Sequence, residues 1–230
     1  MCDFAKLENR IGYEFKDKEL LKTAMTHSSY ASEHNMPYEL NNERLEFIGD
    51  GYLDAVVGNK LYDIMSTAHE GTLSRDRADV VNETSLADVA REIGLGDFLL
   101  LGKGELANGG RDKNSILADA FEAMLGAAIQ DGGYDVCEGI VLRLFAKKID
   151  LAVDGKLNSD YKSRLQELLQ EKYKSVKIQY NLVSESGPDH DKLFCVNVEV
   201  DGKVLGKGEG KSKAKAEQAA ACDVLSKGDL

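Results

Sequence analysis

Apolar residues recur every three or four positions through the first two thirds of the chain, which is the spacing of amphipathic helices. The pattern predicts helices over Leu40–Met65, Leu73–Ile93, Ile116–Gln130 and Val136–Ile149. Asn114-Ser115 has the residue types of a helix cap, and Asp131-Gly132-Gly133 is typical of a helix end. Because no alternation of apolar and polar residues precedes residue 175, this part of the chain is expected to be all-α.

The pattern changes near residue 160. An amphipathic helix is predicted over Tyr161–Lys172, with three leucines on one side, Leu165, Leu168 and Leu169. Alternation then predicts two strands, with apolar positions at Val176, Ile178, Tyr180 and Leu182, and at Phe194, Val196, Val198 and Val200. The tight-turn pair Asp201-Gly202 leads into a third strand, Lys203–Gly208. An alanine-rich helix over Lys213–Leu225 completes the order α-β-β-β-α.

This change of pattern predicts two domains, a helical one over residues 1–152 and a smaller α+β one over 159–228. We expect a linker over residues 153–158, because the stretch Asp154–Ser159 is short, polar and contains glycine. Neither domain has the roughly 20 apolar residues of a membrane helix, and charges among the first eight residues do not fit a signal peptide. The cysteines are far apart, at Cys2, Cys137, Cys195 and Cys222. We therefore expect a cytoplasmic protein with reduced thiols and no membrane partner.

The overall charge argues at first against a nucleic-acid partner, since the chain has a formal charge of −11 and a pI near 4.9. The charge is unevenly distributed, however. Residues 1–157 hold 17 Lys and Arg against 28 Asp and Glu, whereas residues 158–230 hold 12 of each. Within the neutral part, lysines are concentrated at Lys203, Lys207, Lys211, Lys213 and Lys215. The smaller domain is therefore compatible with a polyanionic partner.

Carboxylates occur in two predicted helices that are otherwise largely apolar. Glu43, Glu46 and Asp50 are spaced three and four residues apart, so they share one helix face. Asp119 and Glu122 are three apart in the second helix, and no lysine or arginine falls between residues 114 and 142. Two carboxylates about 4 Å apart repel by roughly 4 kcal/mol at an effective dielectric of 20. Such groups must share protons, contact cations from elsewhere in the fold or bind a metal.

Each group alone has a simpler explanation. Glu43, Glu46 and Asp50 fit a solvated helix face, while Asp119 and Glu122 fit a cap or a pairing with another helix. Both groups together favour a metal site built from oxygen ligands. Carboxylates without Cys or His suit Mg²⁺, with Mn²⁺ as a substitute, rather than Zn²⁺. Two such ions acting on a phosphodiester can generate hydroxide and stabilise the leaving oxygen.

The segment Asn42–Leu53, NERLEFIGDGYL, resembles the signature of the bacterial ribonuclease III family, the double-stranded-RNA endonucleases. Further matching segments follow the family's order: Leu20–Ala31, Glu70–Arg75, Val81–Leu86 and Ser115–Gly126. The resemblance covers nearly the whole chain. Two departures fall at packing positions: Gly51-Tyr52 stands where Ala-Val is more usual, and Asp79 where a small apolar residue is usual. We expect His27 only to make a structural hydrogen bond.

By this resemblance, Glu46, Asp119 and Glu122 bind the metal ions, and Asp50 and Glu122 are the two catalytic residues. Glu43 is expected near the dimer interface and the site. The resemblance also implies a homodimer whose two catalytic valleys cut opposite strands and leave short 3′ overhangs. It implies no organic cofactor.

The order α-β-β-β-α resembles a double-stranded-RNA-binding domain. The RNA-binding residues implied are Gln166, Glu167, His190, Lys211, Lys213 and Lys215. The first two would contact 2′-hydroxyls in one minor groove, the histidine would enter the next, and the lysines at the start of the last helix would contact phosphates between them. The family often has a second lysine where this chain has Ala214.

The chain as a whole thus resembles an all-α endonuclease domain followed by a small α+β double-stranded-RNA-binding domain. The activity implied is metal-dependent hydrolysis of double-stranded RNA, giving 5′-phosphate and 3′-hydroxyl ends, in processing of ribosomal RNA precursors and some messenger and transfer RNA precursors. One alternative is a non-cleaving RNA-binding regulator, in which a degenerate site would have lost carboxylates; all four are present here. Another is a helical metal phosphohydrolase acting on nucleotides, in which the smaller domain has no role.

Overall fold

The computed structural model describes residues 4–155, 157, 161–173, 176–188 and 192–227. Its contacts divide the chain into two compact units, residues 1–157 and 158–230, each with a hydrophobic core. The linker predicted over 153–158 overlaps this division: Val153 ends a helix, while Lys156 and Asn158 lie outside the described residues. Among the described helices, none has the length and hydropathy needed to cross a membrane.

The first unit is helical, as the spacing of its apolar residues predicts. Its helices are α1 Ala5–Ile11, α2 Lys18–Ala24, α3 Ser28–Glu33, α4 Glu43–Ile64, α5 Glu70–Val81, α6 Glu83–Glu92, α7 Lys103–Ala107, α8 Asn114–Gly132, α9 Tyr134–Leu144 and α10 Ala146–Val153. Short 3₁₀ turns cover Tyr38–Leu40, Leu95–Phe98 and Gly110–Asp112. Helix α8 is central: it is buried along most of its length, and α2, α4, α6 and α9 pack against it.

Two of the predicted helices are each divided in two. At Asn82 the backbone is extended, and its side chain accepts a hydrogen bond from the Ser85 amide (2.9 Å), which ends α5 and begins α6. At Phe145 the chain bends between α9 and α10, where the buried ring packs edge-on against Phe121. The predicted cap Asn114-Ser115 is also wrong, because α8 begins at Asn114, whose side chain instead accepts a hydrogen bond from Arg91.

The second unit has the predicted order of a helix, three strands and a helix. Its elements are α11 Tyr161–Lys172, β1 Ile178–Ser186, β2 Leu193–Val200, β3 Lys203–Gly210 and α12 Lys213–Lys227. The strands form an antiparallel sheet in the order β1-β2-β3, with Tyr180 opposite Val198 and Val196 opposite Gly208. Both helices contribute to its core, through Leu165, Leu169, Ala216, Ala220, Ala221 and Val224.

Two apolar residues that the sequence pattern placed on an inward face do not enter this core. Leu168 on α11 is 39% exposed and Leu182 on β1 is 46% exposed. The pairing of β1 with β2 shifts only after Leu182. Leu182 itself keeps the register of Tyr180 and lies opposite Val196, so its exposure is not caused by a change of face. Of the cysteines described, Cys137, Cys195 and Cys222 are free thiols, and burial raises the pKa of Cys137 to about 12. Cys2 lies outside the described residues.

Candidate functional site

Three of the predicted carboxylates meet where α4 crosses α8. One carboxylate oxygen from each of Glu46, Asp119 and Glu122 lies within 4.8 Å of the other two, and all three side chains are half-buried. Among the described residues, this is the group of side chains whose ligand atoms are close enough to share a metal ion. No lysine or arginine in the described part of the chain forms an ion pair with them.

The close approach of the two helices depends on a glycine in each. A Cβ added at Gly49 would overlap the carbonyl oxygen of Glu122, and a Cβ added at Gly126 would overlap that of Leu45. Each glycine lies one helical turn after a carboxylate, Gly49 after Glu46 and Gly126 after Glu122. The backbone contact therefore brings carboxylates from α4 and α8 to the same point.

The electrostatics of the cluster are those of negative charge held out of water. Burial, followed by repulsion from Asp119, Glu43 and Asp50, raises the pKa of Glu46 to about 7. Burial and then Asp50 raise the pKa of Glu122 to about 8. Burial also raises the pKa of Asp119, against an opposing effect of His27. The protein without a metal therefore holds protons in this cluster near neutral pH, which a divalent cation would displace.

The other two acidic residues of α4 are placed differently. Asp50 is exposed and outside the group of three, although it is the carboxylate that most strongly raises the pKa of Glu122. Glu43 is exposed and accepts a hydrogen bond from the Tyr38 hydroxyl, which raises the pKa of Tyr38. Glu43, Glu46 and Asp50 thus all lie on α4 with the spacing of one helix face, but of these three only Glu46 belongs to the cluster.

Two residues near the cluster complete the description of the site. His27 accepts a hydrogen bond at Nδ1 from the Ser29 amide (3.2 Å) and caps α3, so the predicted structural hydrogen bond is confirmed. Phe47, an apolar residue of the same turn as Leu45 and Ile48, is 83% exposed. The apolar side of this turn is therefore Leu45 and the half-buried Ile48, while Phe47 points outward.

The described residues among those predicted to bind RNA are exposed on the second unit. Gln166 and Glu167 are exposed on α11. Lys211, Lys213 and Lys215 are exposed around the start of α12, where the amide groups of a helix N-terminus favour phosphate. Gly187 and Pro188 follow β1, but His190 lies outside the described residues.

Sequence reasoning missed three residues that shape the site. Gly49 and Gly126 were detectable as glycines one turn from a carboxylate in apolar helices, which is a signal of close helix approach. Arg91 gave no such signal. Its side chain joins α6 to the start of α8 through Asp112 and Asn114, contacts that depend on the tertiary structure alone.

Comparison with known proteins agrees with this geometry. Residues 17–149 match a ribonuclease-III-like family model, and residues 161–227 match the double-stranded RNA binding motif. A Ribonuclease 3 of Caldanaerobacter subterraneus subsp. tengcongensis is 51% identical over 221 residues, covering 96% of each chain. That of Desulfotalea psychrophila is 49% identical, covering 97% of this chain and 92% of the relative. The nuclease domain of ribonuclease III from Campylobacter jejuni is 46% identical with a TM-score of 0.59, covering 64% of this chain and 98% of that domain.

Fold and site together define a class, that of proteins with a helical ribonuclease-III-like unit and a double-stranded-RNA-binding motif. The acidic cluster lies in the first unit and the exposed lysines at α12 in the second. The chain belongs to the ribonuclease III family.

Proposed function

We propose that this protein is a metal-dependent endoribonuclease that hydrolyses phosphodiester bonds in double-stranded RNA, leaving 5′-phosphate and 3′-hydroxyl ends. One observation carries the proposal: Glu46, Asp119 and Glu122 meet as a compact, half-buried cluster in a chain that also has a double-stranded-RNA-binding motif. The domains we assign are residues 1–152 for catalysis, 153–158 as linker and 159–228 for RNA binding.

The cluster fits a divalent cation that prefers oxygen. Its donors are all carboxylates, and burial followed by repulsion from neighbouring carboxylates raises the pKa values of Glu46 and Glu122, so a cation would stabilise their charged forms. We assign Glu46, Asp119 and Glu122 as ligands of Mg²⁺, with Mn²⁺ as a substitute. Bound there, the ion supplies Lewis-acid stabilisation of charge on a phosphodiester and lowers the pKa of bound water.

Asp50 and Glu122 are the residues we assign to catalysis. Glu122 faces the other two ligands and, once deprotonated, completes the charge that holds the cation. Asp50 is exposed one turn beyond Glu46 and close enough to raise the pKa of Glu122, so its carboxylate is accessible for a ligand role or for orienting an attacking water. Glu43, paired with Tyr38, is assigned to the surface beside the site.

We assign RNA binding to the second unit. Gln166 and Glu167 of α11 and His190 are assigned to successive minor grooves, where 2′-hydroxyls distinguish RNA from DNA. Lys211, Lys213 and Lys215 are assigned to the phosphates between them, with support from their exposure around the start of α12. This mode reads shape rather than sequence, so ribosomal RNA precursors and some messenger and transfer RNA precursors are suitable substrates, in the cytoplasm.

A homodimer is the assembly that Phe47 supports. This ring is 83% exposed, and a pocket of about 330 Å³ nearby is lined in part by Leu20, Leu40, Leu45 and Ile48. Aromatic residues are enriched in protein interfaces, and the similar C. jejuni nuclease domain has a region involved in dimer formation. Two sites acting on opposite strands would leave short 3′ overhangs. In sedimentation velocity, Phe47→Glu should be monomeric, whereas Val204→Glu, at an exposed position in the second unit, should remain dimeric.

Cleavage of a labelled RNA duplex tests the function. We expect the full-length protein to cut with Mg²⁺ and not with EDTA, and Glu122→Gln to bind the duplex without cutting it. Glu138→Gln, a change of the same kind on α9, should cut like wild type. Cutting in EDTA or by Glu122→Gln would contradict the site. Binding without cutting by wild type would favour the non-cleaving regulator.

A further inference from the structure

Helix α8 packs along most of its length against α2, α4, α6 and α9. At Gly49 and Gly126 it also contacts α4 directly through backbone carbonyl groups, and at these two positions no side-chain ridge of one helix enters a groove of the other. Hydrogen bonds at the two ends of α8 add to the side-chain packing that sets its position along its own axis, and hence the position of Asp119 and Glu122 relative to Glu46.

The C-terminal end of α8 is held by Asp131. Its carboxylate accepts three hydrogen bonds, from the Tyr13 hydroxyl (2.6 Å) and from the amides of Lys16 (2.8 Å) and Asp17 (2.9 Å). The three donors all come from the segment between α1 and α2. Asp131 is about two turns beyond Glu122 along α8, on the C-terminal side of the glycine contact at Gly126.

The N-terminal end of α8 is held by Arg91. Its Nε donates to the Asp112 carboxylate (2.7 Å), and its Nη2 donates to the Asp112 carbonyl (2.7 Å) and to Oδ1 of Asn114 (2.6 Å). Nη1 lies 3.6 Å from the Asp88 carboxylate on its own helix, which orients the guanidinium. A planar group with donors in fixed directions constrains position better than a single charge does.

Helix α6, which carries Arg91, also follows α8 toward the cluster. Its residues Leu86, Val89 and Ala90 are buried, and α6 packs against α8. Through this packing and the hydrogen bond from Arg91 to Asn114, α6 holds the first turn of α8, about one to two turns before Asp119 and Glu122.

We propose that Arg91 is a positioning residue for the metal site, acting through the register of α8 to align Asp119 and Glu122 with Glu46. The inference rests on the proposed function. Partners that orient metal ligands typically change metal affinity by about 10–100-fold when they are removed. The contacts of Arg91 are with Asp88, Asp112 and Asn114 and not with the three assigned ligands, so its loss should weaken the site without altering the ligands themselves.

Mn²⁺ binding measured by electron paramagnetic resonance on the full-length protein tests this directly, without turnover. Arg91→Met removes the guanidinium and retains much of the aliphatic length. We expect it to weaken Mn²⁺ binding about tenfold or more and to raise by a similar factor the Mg²⁺ concentration for half-maximal cleavage, with the rate partly restored at high Mg²⁺. The matched control is Arg143→Met, which removes an arginine on α9 whose hydrogen bond goes to the Arg10 carbonyl (3.2 Å); it should bind Mn²⁺ like wild type.

Melting temperatures separate positioning from general support. If Arg91→Met only lowered the melting temperature, and bound Mn²⁺ like Arg143→Met well below that temperature, the inference would be overturned. If Arg91→Met fails to fold, Arg91→Lys can be used instead, because it keeps the positive charge but lacks the planar guanidinium with its several donors. Unchanged Mn²⁺ binding by Arg91→Lys would equally overturn the inference. A wild-type protein that binds no Mn²⁺ and does not cut would overturn the proposed function instead, so the two failures are distinguishable.

Discussion

Substitution of Gly49 by alanine is the sharpest test of how the site is assembled. The added Cβ would lie 2.6 Å from the carbonyl carbon of Glu122, about 1 Å closer than carbon atoms pack. The helices must separate by a similar distance, and overpacking of this kind costs about 1–3 kcal/mol. The same separation moves Glu46 away from Glu122.

Gly139→Ala on α9 is the matched control, because it is within a helix and a Cβ there has open space around it. Both variants gain roughly 1 kcal/mol from the better helix propensity of alanine. The difference in stability between them therefore measures the cost of the added Cβ at the crossing of α4 and α8. At about 2–4 °C per kcal/mol for a chain of this size, Gly49→Ala should melt about 2–12 °C below Gly139→Ala in differential scanning calorimetry.

The cleavage rate of Gly49→Ala should fall by more than its loss of folding stability would explain. A displacement of about 1 Å in a catalytic arrangement can cost on the order of 100-fold in rate, so Gly49→Ala should cut a duplex far more slowly than Gly139→Ala at a temperature where both are folded. If Gly49→Ala matched Gly139→Ala in both melting temperature and cleavage rate, the helices would not be held together through this glycine, and the account of the site would be refuted.

Three further changes test other parts of the molecule. With EDTA present, Glu122→Gln should become more stable relative to wild type as the pH rises from 5 to 8.5. The pKa values of Glu46 and Glu122 are raised to about 7 and 8, so folded wild type binds more protons than the unfolded chain in this window and loses stability as those protons dissociate. A difference in melting temperature that does not change with pH would contradict this. Lys213→Ala should reduce by about one the slope of log affinity for duplex RNA against log salt, while Lys203→Ala, at the opposite end of β3, should leave it unchanged. Asn82→Ala should cost about 1 kcal/mol in urea unfolding through loss of the α6 cap, and an unchanged midpoint would show that the cap contributes nothing.

The fold class and the longer elements were predictable because most apolar residues follow the period of the element that buries them. The short helices α1, α2, α3 and α7 were not predicted, since five to seven residues contain too few turns to show a period. The break at Asn82 was not, since Val80, Val81 and Leu86 keep a helical spacing across it and only the side-chain hydrogen bond to Ser85 reveals the cap. Leu182 was misplaced for a different reason: it has the regular register and lies opposite the buried Val196, yet it is 46% exposed, so alternation gave its face of the sheet but not how far the core extends along β1.

The site was predictable in composition rather than in arrangement. The spacing of α4 indicated that Glu46 shares a helix face with Glu43 and Asp50. The lack of a nearby lysine or arginine indicated that Asp119 and Glu122 need a cation, and the structure brings these two residues together with Glu46. The same spacing could not separate Glu46 from Glu43, because the pairing with Tyr38 depends on a turn outside the helix. The outward position of Phe47 follows from tertiary packing against one side of α4.

The cluster also has a consequence for when the protein becomes active during its synthesis. Glu46 is on α4, whereas Asp119 and Glu122 are on α8, with α5, α6 and α7 between them in the chain. Contacts between such distant segments form only after a long loop has closed, which is slow relative to the formation of a single helix. A nascent chain that has emerged only as far as α7 contains one of the three carboxylates. The cluster to which we assign the metal therefore forms only after α8 has been made and has packed against α4, and on the proposed function cleavage would begin only then.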